Sequence, residues 1–415
     1  MSDSINKDYS AKWNGYEWDG FKSLSILYFT TAILCWLAPP LIAKLGPKLS
    51  LALGGVGVSL ALSTYLYPFK YGLIAAAFMT GSSTSILLIA QGSYLGLVSS
   101  KETNSRDTGL CYAIYQLAPI TGGTLVSLLF SGKENIPRET RNILYPVLVG
   151  FGFIGVVCTM FLRSSKSTAK SPSPVQVLKQ SFQLLTTKRM ACLTITCLYT
   201  GQIYSFMSNL YPTSVGYTKV FGVNRKQYAG ESGICLGIGE FSAGVLLFLT
   251  RNNKKAERLL FIGYILTFLP LALLCATLLG FVDGCYQTQL FRTIVKHYPE
   301  NTAAPFGIYF SAQAATMATM NLFSSGCGLH VHCILLMIGC SIGTIAFFVS
   351  LSANDGRGVE DETVDTRDKT NSICNGNESK STINIDSKAQ SELHSIDTSN
   401  GDIKFPAHDV ESNNV

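Results

Sequence analysis

Acidic residues are scarce over most of this chain: of 26 Asp and Glu in 415 residues, only 13 precede Asn354. Charged residues of both signs make up 14% of the chain, against about a quarter in an ordinary soluble domain, so long stretches carry none. No basic stripe interleaves with aromatics on a soluble surface, which excludes a nucleic-acid partner. The chain has no nucleophile elbow, no phosphate loop and no metalloprotease helix, so it is not expected to be an enzyme. Most of its 12 cysteines stand in apolar stretches as small fillers, and no disulfide framework is implied. Met1 to Gly20 is polar throughout and is no signal peptide. Gly150, Gly152 and Gly155 fit a dinucleotide spacing, but they lie inside an apolar stretch with no strand before it and no acid about 20 residues on. They are expected to serve helix packing, and no cofactor is implied. Cys327, His330, His332 and Cys333 are crowded into one turn and match no zinc spacing, so they read as an ordinary loop rather than a metal site.

What the chain has instead is a series of ten or so long apolar stretches separated by short loops that carry most of the positive charge. A hydrocarbon core needs roughly 20 apolar residues per helix. Stretches of that kind are Phe21 to Ala43, Leu49 to Pro68, Tyr71 to Val98, Gly109 to Phe130, Leu144 to Leu162, Ala191 to Val215, Ala229 to Thr250, Ala303 to Phe323 and Val331 to Leu351. Leu259 to Leu290 is too long for one span and short for two. These segments are too long and unalternating for barrel strands, so the fold class is all-α, a polytopic membrane protein embedded in the lipid bilayer. From residue 352 the composition turns polar and acidic, the pattern of a disordered tail. Asn377-Glu378-Ser379 in it is a glycosylation sequon only if that tail faces the lumen.

Lys and Arg set the expected orientation. Lys44 and Lys48, Lys101 and Arg106, the run from Arg163 to Arg189, and Arg251 to Arg258 all fall on alternate sides of successive spans, hence on one face, which is expected to be cytosolic. The opposite loops are less clean, since Lys133, Arg138 and Arg141 lie in one of them. The expected organisation is therefore an outside N-terminus (1–20), a transmembrane half of about five helices (21–162), a basic cytosolic linker (163–189), a second half of five or six helices (190–351) and the tail (352–415). In the linker Val175, Leu178, Phe182 and Leu185 recur at helical spacing, which predicts a short interfacial helix. A six-plus-six transporter fold repeats a tight basic loop in each half, and Lys44 to Lys48 and Arg251 to Lys255 stand in those places. Counting back from Lys44 leaves one span, so the first helix of such a fold is expected to be missing.

Several motifs, spread over the membrane body, carry a family resemblance. They are Leu45-Gly46-Pro47-Lys48-Leu49-Ser50, Ala90-Gln91-Gly92-Ser93-Tyr94-Leu95, and Arg106-Asp107-Thr108-Gly109 followed by Ala113-Ile114-Tyr115-Gln116. The second half adds Tyr199-Thr200-Gly201, Leu236-Gly237-Ile238-Gly239-Glu240 and the run Asp283 to Leu290. In this order they make the chain resemble the uncoordinated-93-like branch of the major facilitator superfamily, and within it the orphan subgroup named for its major-facilitator domain. The resemblance implies a helix bundle of two pseudo-symmetric halves. It also implies a role like that described for the founding members, regulation of ion channels or of receptor trafficking. The superfamily's usual charge relay between the second and third helices, an Asp followed by paired basic residues, is absent, since no acid lies between Leu41 and Leu51.

Ionisable groups inside spans are the candidate site, because one at the bilayer centre costs roughly 2.5 to 3.5 kcal/mol on insertion scales. Glu240 and Asp283 meet that description; Glu231 stands near a span end. Gly233, Gly237, Glu240 and Gly244 share a helix face that another helix can approach closely, and Asp283 shares one with Gly280 and Gln287. Glu240 and Asp283 either bind a cation or relay a proton, or serve as helix contacts hydrogen-bonded to Gln or Ser neighbours. Gln91, Gln116, Gln202, Gln287 and Gln313, with Thr84, either line a polar cavity at mid-membrane or hold helices together. Two functions follow as expectations. One is a non-catalytic membrane protein that regulates or escorts another membrane protein, such as a channel or receptor. The other is a secondary transporter coupling a proton or cation to an unknown solute. Either resides in the plasma membrane or an endomembrane.

Overall fold

The computed structural model describes residues 20–66, 70–100, 102–132, 138–163, 174–218, 222, 224–249, 272–299, 302–324 and 326–353. Residues 1–19, the basic loop 251–258, the first part of Leu259 to Leu290, Lys101, Lys133 and the tail from 354 lie outside them.

The first apolar stretch is a broken helix, α1 (Gly20–Leu34) and α2 (Ala38–Leu45), bent by 62°. Pro39 and Pro40 follow the break, where the missing N–H groups cost no helical bond. Gly46 then turns the chain at φ 81°, a left-handed conformation that suits glycine. Pro47 opens α3 (Pro47–Ser63), as a ring with fixed φ does well at a first helical position. α4 (Lys70–Val98), α5 (Asn104–Tyr115), α6 (Leu117–Phe130) and α7 (Arg138–Met160) complete the first half. α8 (Pro174–Leu185) lies in the linker. The second half holds α9 (Lys188–Ser205), which runs through a π turn (Phe206–Leu210) into α10 (Tyr211–Tyr217), then α11 (Arg225–Leu249), α12 (Ala272–His297), α13 (Ala303–Ser324) and α14 (Leu329–Ser352).

No strand occurs among the described residues. By length and composition six helical segments among the described residues suffice to cross a membrane, or seven if the bent pair is one span. α9, α12 and α13 are of similar length but more polar, because their polar side chains turn inward: Thr200, Asp283, Gln287 and Asn321 are all buried. Exposed apolar side chains such as Phe151, Phe161 and Ile345 cover the outside of the bundle, where a soluble protein would place charge.

Helix pairing repeats between the halves. α1 packs on α4 within its half and on α13 across the halves; α11 packs on α12 within its half and on α5 and α6 across. α11 can serve two partners because small residues lie on both of its sides. A Cβ added to Gly244 would lie 2.8 Å from the Ala113 nitrogen on α5, and one added to Gly284 of α12 would lie 3.1 Å from the Cα of Glu240. Gly280 likewise meets Leu236, so α11 and α12 run in the same direction. Both therefore end on one face.

That shared face is marked by contacts between helix ends. Asn104 at the start of α5 donates its side-chain amide to the Arg292 carbonyl near the end of α12 (3.0 Å). Tyr94 near the end of α4 donates to the Arg163 carbonyl (3.3 Å). Arg189 at the start of α9 donates to the carbonyls of Ser350 and Ala353 that end α14. A guanidinium there satisfies carbonyls that have no helical partner, so Arg189→Ala is expected to lower stability by about 1 to 3 kcal/mol. Thermal unfolding of the purified chain measures it, and an unchanged midpoint would show the contact to be idle.

The linker helix differs in its buried face from the expected stripe. Val177, Ser181 and Leu184 are the buried positions, while Val175 is 76% and Phe182 54% exposed. α8 packs against α2, α13 and α9, and Phe182 stacks on Trp36 at the bend (centroids 4.7 Å). Spacing identified an apolar side of the helix, but protein and lipid are both apolar neighbours, so it could not say which of them takes which residue. A reporter inserted after Arg189 and a tag after Ala353 are expected to read the same side of the membrane, and a reporter near Lys133 the other. Protease protection of the tagged chains decides it; opposite sides for the first two would overturn the helix directions above.

Candidate functional site

Two features stand at the centre of the bundle, a cavity and a pair of carboxyl groups behind its wall. The cavity, about 290 Å³, opens between the halves and is lined from α1, α4, α5, α9, α12 and α13. Four of the five glutamines line it: Gln91 from α4, Gln116 at the α5–α6 junction, Gln287 from α12 and Gln313 from α13. Thr84 joins them. Gln202 does not; it lies on α9 against Gly339 of α14, inside the second half.

The carboxyl pair follows from helix geometry. Asp283 and Gln287 are one turn apart on α12, so they share a face, and the Gln287 amide donates to both Asp283 oxygens at 3.5 Å, the long limit for such bonds. Glu240 approaches Asp283 from α11, near enough for the two carboxyl groups to interact. The absence of a side chain at Gly284 permits this approach. Glu240 is 1% exposed and Asp283 fully buried. No described basic side chain pairs with either, and one oxygen of Glu240, Oε1, has no hydrogen-bond partner. Such an acceptor, buried and unmet, is unusual in a folded protein.

A chain of polar contacts joins the cavity to the pair. Tyr309 on α13 donates to the Gln287 carbonyl and also bonds Gln313 and Thr200. Gln287 both lines the cavity and binds Asp283. The sequence alone brought out these glutamines and acids, but not the tyrosines. Tyr28, Tyr112, Tyr115 and Tyr204 line the cavity. The signal was present, since a tyrosine within a span needs a partner for its hydroxyl as surely as a glutamine does for its amide.

Of the glycines expected to pack helices, Gly237 and Gly244 meet α6 and α5 closely, whereas Gly233 has its nearest neighbour, the Gly123 Cα, at 3.9 Å from an added Cβ. Gly152 meets Ser59 of α3, and Gly150 and Gly155 face open space. Among the described residues no three His, Cys, Asp or Glu converge as metal ligands; Cys327 and His330 are exposed and His332 is buried.

Solved structures give the class. FucP, a Major Facilitator Superfamily transporter in the outward conformation, matches with a TM-score of 0.62 over 84% of this chain and 93% of that one, at 15% identity. A variant of the E. coli fucose:proton symporter FucP matches with a TM-score of 0.59 over 79% and 90%, also at 15% identity. At that identity the likeness is one of fold: a multi-pass, all-α membrane protein of major-facilitator architecture. The sequence profile of the family described as ion channel regulatory protein UNC-93 matches residues 15–269 and 262–348, and the chain belongs to that family. The UNC93-like protein MFSD11 of Xenopus laevis is 27% identical over 383 residues, 79% of this chain and 86% of the relative. UNC93-like protein 3 of Arabidopsis thaliana is 22% identical over 81% of this chain and 78% of its own length. Protein unc-93 homolog A of Bos taurus is 24% identical over 70% and 76%.

Proposed function

We propose that this chain is a secondary transporter in which the central cavity takes a small solute and the Glu240–Asp283 pair takes the proton or cation that drives it. The observation that carries the reading is the contact sequence from the cavity through Gln287 to Asp283 and Glu240. Two buried carboxyl groups touching without a basic partner form a costly way to join two helices, since each alone is expensive at bilayer depth. A proton or small cation held between them offsets that cost. Gln287 would then sense both sites, which is what coupling requires. The fucose:proton symporter named above supports the same architecture for ion-driven uptake, in that protein.

The test is uptake by proteoliposomes containing the purified full chain, with and without an ion gradient. Gradient-dependent uptake, lost in the Glu240→Gln and Asp283→Asn double variant at normal expression, is the expected result. Uptake that ignores the gradient would end the coupling claim.

The second reading is regulation or escort of another membrane protein, such as a channel or receptor. It is favoured by the family's description and by the acid-free turn from Lys44 to Lys48, where a transporter's charge relay would stand. Under this reading the double variant alters recovery of a cross-linked membrane partner from cells, and no solute moves in liposomes.

A further inference from the structure

We infer that the central cavity binds an uncharged, hydroxyl-rich organic molecule of monosaccharide or cyclitol size. The inference rests on the reading of that cavity as the solute site, and it adds the chemical class.

Charge is the first argument. Among the described residues no Lys, Arg, His, Asp or Glu lines the cavity, although six helices contribute to it. An anion moved there from water would lose its hydration with no counter-charge to replace it, a loss of several kcal/mol per ion. The carboxyl pair lies one layer back, with Gln287 standing between it and the cavity.

Hydrogen-bonding capacity is the second. Each carboxamide offers two donors and a carbonyl acceptor. Gln91 places its amide only against the Cys111 sulfur at 3.7 Å, which is a weak acceptor. Gln116 stands one helical turn from Tyr112, and both line the cavity. These amides call for oxygen acceptors on the ligand, and their carbonyls call for donors. A hydroxyl supplies both. An organic cation could rest on the tyrosine rings, but it brings no acceptor for the Gln91 amide.

Shape is the third. Phe291 and Phe310 meet edge to face at 5.8 Å in the lining, about one helical turn from Gln287 on α12 and from Gln313 on α13. The lining thus sets aromatic surface for the C–H face of a saturated ring beside carboxamides for its hydroxyls, the mixture usual in small-molecule sites. A volume of about 290 Å³ lies near the lower end for small-molecule sites, roughly 300 to 1,000 Å³, and admits several waters. A hydroxylated ring can replace such waters while keeping many of their hydrogen bonds.

The experiment is thermal unfolding of the full chain in a detergent without a sugar headgroup. The probes are myo-inositol and D-glucose, citrate and L-glutamate, and choline and spermidine. The expected result is a saturable rise of about 2 °C or more with an uncharged probe and none with the charged ones. Gln91→Met, which keeps the shape and removes the carboxamide, is expected to abolish the rise. Gln202→Met, which alters a buried carboxamide outside the cavity, is expected to keep it. A saturable rise with any charged probe, or none with either uncharged probe, would overturn the class. Liposome uptake separates this inference from the one beneath it. A rise without uptake keeps the class and removes the transporter reading, whereas uptake of a charged probe keeps the transporter and removes the class.

Discussion

Replacing Gly239 by leucine is expected to abolish the folded protein, while Gly233→Ala leaves it intact. Both glycines lie on α11 within two turns of each other, and the helix-face pattern in the sequence singled out Gly233 for close packing rather than Gly239. Their surroundings reverse that order. A Cβ on Gly239 would meet the carbonyl oxygen of Thr277 and lie 2.6 Å from the Phe281 nitrogen, both backbone atoms of α12. Backbone cannot turn aside as a side chain can, so the helices must part. Overpacking of even well-tolerated core positions costs about 1 to 3 kcal/mol, and separating α11 from α12 would also break the Glu240–Asp283 contact. At Gly233 the nearest atom to an added Cβ is 3.9 Å away, an ordinary contact. Size-exclusion chromatography of fluorescently tagged chains reads the difference directly. A monodisperse peak of normal height for Gly239→Leu would show that the two helices do not approach as described.

Glu240→Gln and Asp283→Asn, made singly, are each expected to abolish ion-driven accumulation as completely as the pair made together. The two carboxyl groups touch across α11 and α12, so an ion held between them loses its site when either is neutralised. Changes to groups that act as one unit are far from additive. The amides keep the volume and much of the hydrogen bonding, so expression is expected to hold. Solute exchange at equal concentrations on both sides is expected to persist, because the cavity lining is untouched. Accumulation in proteoliposomes against a solute gradient, compared over the two single variants and the double, makes the measurement. Partial and additive losses would mean two separate sites.

Much of the architecture was legible in the sequence because hydrocarbon constrains it so strongly. Long uncharged runs must be helices at bilayer depth, and the runs from Tyr71 to Val98 and from Val331 to Leu351 fall within a residue or two of α4 and α14. The break in the first run was less legible. Pro39 and Pro40 announce an interruption, but a 62° bend depends on what the two pieces pack against, here α4, α13 and the linker helix.

At the candidate site the sequence singled out Glu240 and Asp283 as acids where acids are costly, and five glutamines for the same reason. It could not say that the two acids touch, because the residues are 43 apart and belong to helices whose pairing rests on Gly239, Gly280 and Gly284 matching one another across the contact. Nor could it send Gln91, Gln116, Gln287 and Gln313 to one cavity and Gln202 to another helix interface. By itself, then, the sequence determined the class of fold, the rough extent of several helices, and the few polar groups that cannot face lipid. Which of those groups meet was decided by the tertiary structure. Apolar helix surfaces look alike whether lipid or protein covers them, and only close packing between small residues selects the partner.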